Sequence, residues 1–235
     1  MPGLSVYQIY QRLFRTYGPQ HWWPGETPFE IMIGAVLTQN TSWTNVERAL
    51  ANLKQHGALA DDVILAMPHK RLAHLLTPVG YFNVKATRLK NFCRWHRQHA
   101  SLAALRKTGT HELRRMLLSI NGVGPETADD MLLYAFDRPV FVIDAYTRRL
   151  FTRLGYLGGD EGYETLRRWF ETKLTRVNDK VGVFNEYHAL IVHHAKYYCR
   201  SKPRCAECCL RNHCNYYSSV KDVTKRKNST TKSMK

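Results

Sequence analysis

Apolar residues recur along the chain at helical spacing almost throughout, so helices are predicted nearly everywhere. Ser5 to Gln8 reads as a capping box, and Ile9, Tyr10, Leu13, Phe14 and Tyr17 follow on one face. Thr27 to Glu30 reads as a second box with Pro28 at the first helical position, and the apolar run from Phe29 to Leu37 after it predicts a buried helix. Val46, Ala49, Leu50 and Leu53 mark another helix, Leu72, Leu75 and Leu76 a short one, and Ala86, Leu89, Cys93 and His96 a longer one. Leu113, Met116, Leu117 and Ile120 lead into a glycine turn, and a new helix is predicted from Pro125 to about Phe136. The same rule places helices at roughly 145–154, 162–175 and 184–198. Only Val140 to Ile143 reads as a strand candidate, too short to build a sheet, and no repeat recurs at a fixed long period. The expected fold class is all-α.

Composition adds a partner. With 235 residues, 44% of them hydrophobic, the chain can bury one large core or two modest ones. Lys and Arg number 35 against 19 acidic residues, and a formal charge of +16 points to a polyanion. Part of that charge sits in 218–235, which reads as a disordered basic tail. Neither a leader-like N-terminus nor an apolar run of membrane-spanning length is visible. The expectation is a cytoplasmic monomer without membrane contact, nucleoid-associated if the source is bacterial. Five of the six cysteines fall between Cys199 and Cys214, which suggests a metal or cluster centre rather than disulfides. Cys199, Cys205, Cys208 and Cys214 give C-x5-C-x2-C-x5-C, suited to an iron–sulfur cluster or to four-cysteine zinc, with Cys209 able to replace Cys208. Lys202, Arg204 and Arg211 flank these ligands and are candidates for phosphate contact. Cys93, on a helix face, reads as core.

The candidate chemistry begins at Leu117 to Ala128, LLSINGVGPETA. Gly122 and Gly124 permit a tight turn between helices, and the free amides where the next helix opens form a phosphate site. Downstream, the apolar run Val142-Ile143 ends at Asp144, which opens another helix and by itself reads as an N-cap worth about 1 kcal/mol. The hairpin, the spaced Asp, the segments Gly34 to Thr41 and Gly80 to Ala86, and the cysteine loop together resemble the helix-hairpin-helix, Gly/Pro-Asp signature of the endonuclease III superfamily of DNA glycosylases.

That resemblance implies two helical domains with double-stranded DNA in the cleft between them. One would be a six-helix barrel over 21–138, with the helix-hairpin-helix at about 113–136, and the other a cluster domain over 1–20 and 139–217. It implies a 4Fe–4S cluster on Cys199, Cys205, Cys208 and Cys214, although the family usually has six residues in the first gap where this chain has five. It also implies a monovalent cation on the carbonyls of Leu118, Ile120 and Val123. Asp144 would stabilise an oxocarbenium-like sugar and orient or deprotonate water. Bifunctional members carry a Schiff-base lysine where this chain has Glu126, which also suits a first helical turn. A carboxylate forms no imine, so a monofunctional glycosylase without lyase activity is expected, with Lys85 the lysine considered as a stand-in.

Trp22, Trp23 and Trp43 read either as core or as pocket walls. The segments His21 to Pro24 and Gln39 to Trp43 are similar to those of 3-methyladenine DNA glycosylases of endonuclease III type, where the positions of Trp22 and Trp43 sandwich the flipped base. A cationic methylated purine stacks well on such rings. Gln39, Asn40 and Tyr81 match positions that fill or wedge the opened duplex. The rivals are a mismatch or oxidised-pyrimidine glycosylase and a non-enzymatic helix-hairpin-helix DNA-binding protein. Asp144 separates the last from the others, since a pure binder needs no carboxylate at the sugar.

Overall fold

The computed structural model describes residues 3–22, 25–99 and 101–220. The described residues form the helices α1 Val6–Tyr17, α2 Pro28–Leu37, α3 Trp43–Gln55, α4 Asp61–Ala66, α5 His69–Leu75, α6 Phe82–Gln98, α7 Leu102–Lys107, α8 Thr110–Leu118, α9 Pro125–Asp130, α10 Ala145–Leu154, α11 Tyr163–Lys173 and α12 Lys180–Tyr197, with a further helical stretch at 215–220. Among the described residues there is no β-strand, and 140–143 runs as irregular backbone into α10. The all-α expectation holds. No helix among these residues is long and apolar enough to cross a membrane.

The chain divides into two compact units, one from Trp23 to Val140 and one combining the residues up to Trp22 with those from Phe141 onward. In the Trp23–Val140 unit, α2 is the apolar centre, with every residue from Glu30 to Leu37 buried. Each large aliphatic side chain enclosed this way contributes roughly 1.5–3 kcal/mol. The start of α2 differs from the expected capping box. Thr27 Oγ1 accepts the Glu30 amide at 3.1 Å, but the Glu30 carboxylate reaches the Glu26 amide and the Lys54 ammonium at 2.8 Å instead of closing the box. The helix predicted over 125–136 also changes character, since after Asp130 the backbone widens into a π-helical turn, Met131–Ala135. A wider turn of this kind often marks a functional segment.

In the other unit, α1 packs on α11 and α12, and α10 packs on α12. The core is aromatic. Phe141 stacks on Phe170 at 4.3 Å between centroids, and Phe151 meets Phe170 edge-on at 4.6 Å. Tyr187 is fully enclosed and spends its hydroxyl on the Val6 carbonyl at 2.8 Å, which fixes α12 against the start of α1. The Ser5 capping box forms in full, with both the Ser5 hydroxyl and the Gln8 amide oxygen engaged. Residues 215–220 are helical, so regular structure continues past 217, and the rest of the basic tail lies outside the described residues.

Candidate active site and nucleic-acid surface

In the Trp23–Val140 unit three turns are tied to one another. The hairpin turn holds Gly122 at φ +98°, a conformation open to glycine. A Cβ there would lie 2.4 Å from Arg88 Cγ, so the Arg88 stem lies directly on the glycine. Arg88 donates to the Gln39 side-chain oxygen, and the Gln39 amide donates to the Gly122 carbonyl at 2.9 Å and to Thr127 Oγ1 at 3.0 Å. Gln39 is thus the side chain that links the hairpin turn, Arg88 and Thr127.

Its neighbour Asn40 is exposed at φ 54°, and Tyr81, 73% exposed, sits at φ 44° just before α6. Two non-glycine residues held in the left-handed region with exposed side chains are strained presentations, of the type found at binding surfaces. Gly124 opens α9 with no side-chain hydrogen bond to the cap, the kind of glycine-led helix start that suits an anion. Glu126 is exposed in that first turn, and Trp43 is half-buried with its ring edge over Gly34. Lys85 is 1% exposed, with its ammonium on the carbonyls of Leu37 at 2.9 Å and Val79 at 2.8 Å. Burial draws its pKa down to about 8, but enclosure keeps this amine from any sugar.

In the other unit, Asp144 caps α10. Its Oδ1 accepts the Thr147 amide at 2.6 Å, and its Oδ2 faces His188 Nε2 at 3.5 Å. The side chain is 12% exposed. Burial works to raise the carboxyl pKa, but His188 and the Thr147 amide outweigh it and hold the group below its ordinary value, so Asp144 is an anion at neutral pH. Trp22 lies against His188 with ring centroids 5.4 Å apart. Sequence reasoning missed His188, which resembles core when read within the run His188-Ala189-Leu190-Ile191. Trp22 and Asp144 belong to this unit and Trp43 and Glu126 to the other. Trp23 lies outside the described residues.

The cysteine loop follows α12. Cys199, Cys205, Cys208 and Cys214 line one cavity together with Leu150, Leu154, Pro203 and Leu210. Cys209 does not line it and lies 3.7 Å from the Tyr17 hydroxyl. Arg153 binds the loop from below, donating to the carbonyls of Cys199, Arg200 and Ser201. Arg211 donates to the Ala206 carbonyl within the loop, while Lys202 and Arg204 are exposed. Among the described residues, no three His, Cys, Asp or Glu side chains are grouped as a site for a single metal ion.

A family model described as HhH-GPD superfamily base excision DNA repair protein matches residues 33–176 of this chain. The chain belongs to this superfamily. Within the HhH-GPD superfamily it is 46% identical over 212 residues to the "Putative DNA repair glycosylase" of Methanocaldococcus jannaschii, covering 89% of this chain and 95% of that protein. It is 29% identical to endonuclease III of Sulfolobus acidocaldarius over 80% of this chain and 82% of the relative. The structure resembles that of the H. pylori 3-methyladenine DNA glycosylase bound to 1,N6-ethenoadenine, with TM-score 0.71 and 28% identity over 82% of this chain and 98% of the other. As an HhH-GPD protein, the chain is a DNA N-glycosylase of base excision repair.

Proposed function

We propose that this glycosylase is monofunctional and releases alkylated purines, of which 3-methyladenine is the type, from double-stranded DNA. The observation that carries the reading is the buried, anionic Asp144 at the start of α10. In the reaction the C1′–N bond breaks and its electron pair leaves on the base. A cationic methylated purine departs neutral, so no separate acid is required. Asp144 stabilises the positive sugar left behind. Water adds its oxygen to C1′, and Asp144 orients it and accepts the proton that is lost. Glu126 stands where an imine-forming lysine would be needed, and Lys85 is sealed in the core, so water is the nucleophile. Trp22, beside His188, serves as a stacking wall for the extruded base, worth roughly 1–2 kcal/mol against a desolvated cation. The similarity to a 3-methyladenine DNA glycosylase supports this substrate class.

DNA is held through the amides at the start of α9, the hairpin glycines, and the exposed Asn40 and Tyr81 at the opened base pair, with Lys202 and Arg204 on phosphates. A monovalent cation on the Leu118, Ile120 and Val123 carbonyls belongs to the same proposal. Ile120 already accepts the Val123 amide at 3.0 Å and has one lone pair left for it.

The four cavity-lining cysteines fit a 4Fe–4S cluster. The donors are four sulfurs converging on one lined space, and burial raises the Cys208 thiol to about 12, so thiolates there require a cationic centre. Bound there, the cluster would cross-link the loop after α12.

The deciding assay incubates the protein with dimethyl-sulfate-treated duplex, with a thymine-glycol duplex and with a G·T duplex, each with and without borohydride. Release of methylated purines ahead of the other bases, leaving alkali-labile sites and no trapped complex, is the expected result. Faster processing of thymine glycol or G·T would replace the substrate class, and a trapped complex in high yield would replace the water mechanism.

A further inference from the structure

Helix α10 satisfies only one oxygen of its capping carboxylate, since Oδ1 takes the Thr147 amide at 2.6 Å. The other oxygen meets α12. We propose that His188 is a positioning residue that holds Oδ2 of Asp144 through Nε2 while its ring packs, tilted, against the Trp22 indole. One side chain on α12 thereby sets both the charge-bearing group and one stacking wall. The proposal rests on the reading of Asp144 as the group that acts at the sugar.

The geometry gives His188 little freedom. It is 5% exposed, with Nε2 3.5 Å from Oδ2 and its ring 5.4 Å from that of Trp22 at 45°. The preceding residue, Tyr187, is anchored through its hydroxyl to Val6, and Ala189, Leu190 and Ile191 are buried after it. Burying a polar ring at such a position costs more than burying an aliphatic one. An aliphatic side chain would fill the space without that cost, so packing alone does not account for a histidine.

The separation is also informative. A contact of 3.5 Å orients the carboxylate by attraction while leaving Oδ2 able to meet a water or a developing positive charge, which a short bond would occupy. No other charged side chain of α10 or α12 with an assigned partner competes for Asp144. Arg148 donates to the Glu161 carbonyl, Arg149 to those of Ala195 and Cys199, and Glu186 accepts the Gln20 amide. Among the influences that lower the Asp144 pKa against burial, the His188 contact is the foremost.

The test compares wild type with His188→Ala, His188→Gln and His188→Leu in single-turnover release of methylated purines from dimethyl-sulfate-treated duplex, across pH. Duplex affinity and Tm are measured alongside. His188→Ala is expected to slow excision about tenfold, the scale of a small misplacement of a reacting group, with duplex affinity unchanged. The acid half-point of the rate should move up, because burial then acts on Asp144 with less opposition. His188→Gln, whose amide can still donate toward Oδ2, should recover most of the rate, and His188→Leu should not. A wild-type rate and acid limb in His188→Ala would overturn the proposal. So would Gln and Leu variants that are equally slow with an unmoved acid limb, since that is the behaviour of a packing residue. If the Ala variant does not fold, the Gln and Leu pair decides by the same criteria. Asp144→Asn, run in parallel, separates the two levels. An inactive Asp144→Asn beside an unaffected His188→Ala removes only the positioning role, whereas a fully active Asp144→Asn removes the reading beneath it as well.

Discussion

Asp144 combines two tasks that a single atom set rarely serves, since a cap must satisfy backbone amides and a catalytic anion must keep oxygen available. The Thr147 amide takes Oδ1, which leaves Oδ2 toward His188 and the small exposed remainder of the side chain. Asp144→Asn keeps a capping amide oxygen and loses the charge. Excision should fall by about a hundredfold or more, while duplex affinity stays near wild type. Single-turnover rates with a binding isotherm check this. The pH dependence has a definite sign. The folded carboxyl lies below its unfolded value of about 3.9, so the stability it contributes is present above that value and is lost as pH falls through it toward the lower folded one. Acid unfolding of Asp144→Asn should lack that component. Gly122 makes a complementary case. With φ +98° and Arg88 Cγ 2.4 Å from an added Cβ, Gly122→Ala strains the backbone and displaces the arginine that holds Gln39. A loss of about 1–3 kcal/mol in stability is expected from thermal melts, together with weaker duplex binding.

At the scale of elements, the loop after α12 distinguishes two adjacent cysteines. Cys208 lines the cavity and Cys209 faces the Tyr17 hydroxyl, so Cys208→Ala should lose most of the iron and the absorbance in the blue, and Cys209→Ala should keep both. Iron analysis of anaerobically purified variants reads this directly. The sequence left these two alternatives open, because spacing alone does not say which of two neighbouring side chains turns inward. Helices with three or more turns, such as α1, α3 and α6, were legible because their apolar faces repeat often enough to show a period. Helices α4 and α7 were not, since six residues show fewer than two turns. The π-helical turn after α9 was hidden because its residues are all apolar and buried whatever the winding. In the candidate site, Asp144 and the hairpin glycines were legible as turn and cap chemistry. The partnerships of Gln39 with Arg88 and of Asp144 with His188 join residues 49 and 44 positions apart, and nothing in local pattern encodes them.

For the whole molecule, binding and chemistry should respond differently to salt, because they draw on different charges. The chain carries a formal +16, and the DNA-facing groups proposed here include backbone amides, exposed cations and neutral side chains. Each phosphate neutralised by Lys or Arg releases condensed counterions, so log affinity should fall linearly with log salt at a slope of about −0.9 per contact. About six such contacts would give a slope near −5. Amide contacts at the start of α9 add affinity but little slope, since they carry no full charge to exchange. Asp144, by contrast, is buried with His188, where mobile ions screen poorly. Once the duplex is saturated, the excision rate should therefore change little between low and moderate salt. Fluorescence titration of a lesion-bearing duplex and single-turnover excision at saturating protein, across the same salt series, measure the two separately. A flat affinity curve would remove the phosphate contacts as the source of binding. A rate that falls in parallel with affinity at saturation would mean that the charge acting at the sugar is open to solvent, contrary to the enclosure of Asp144.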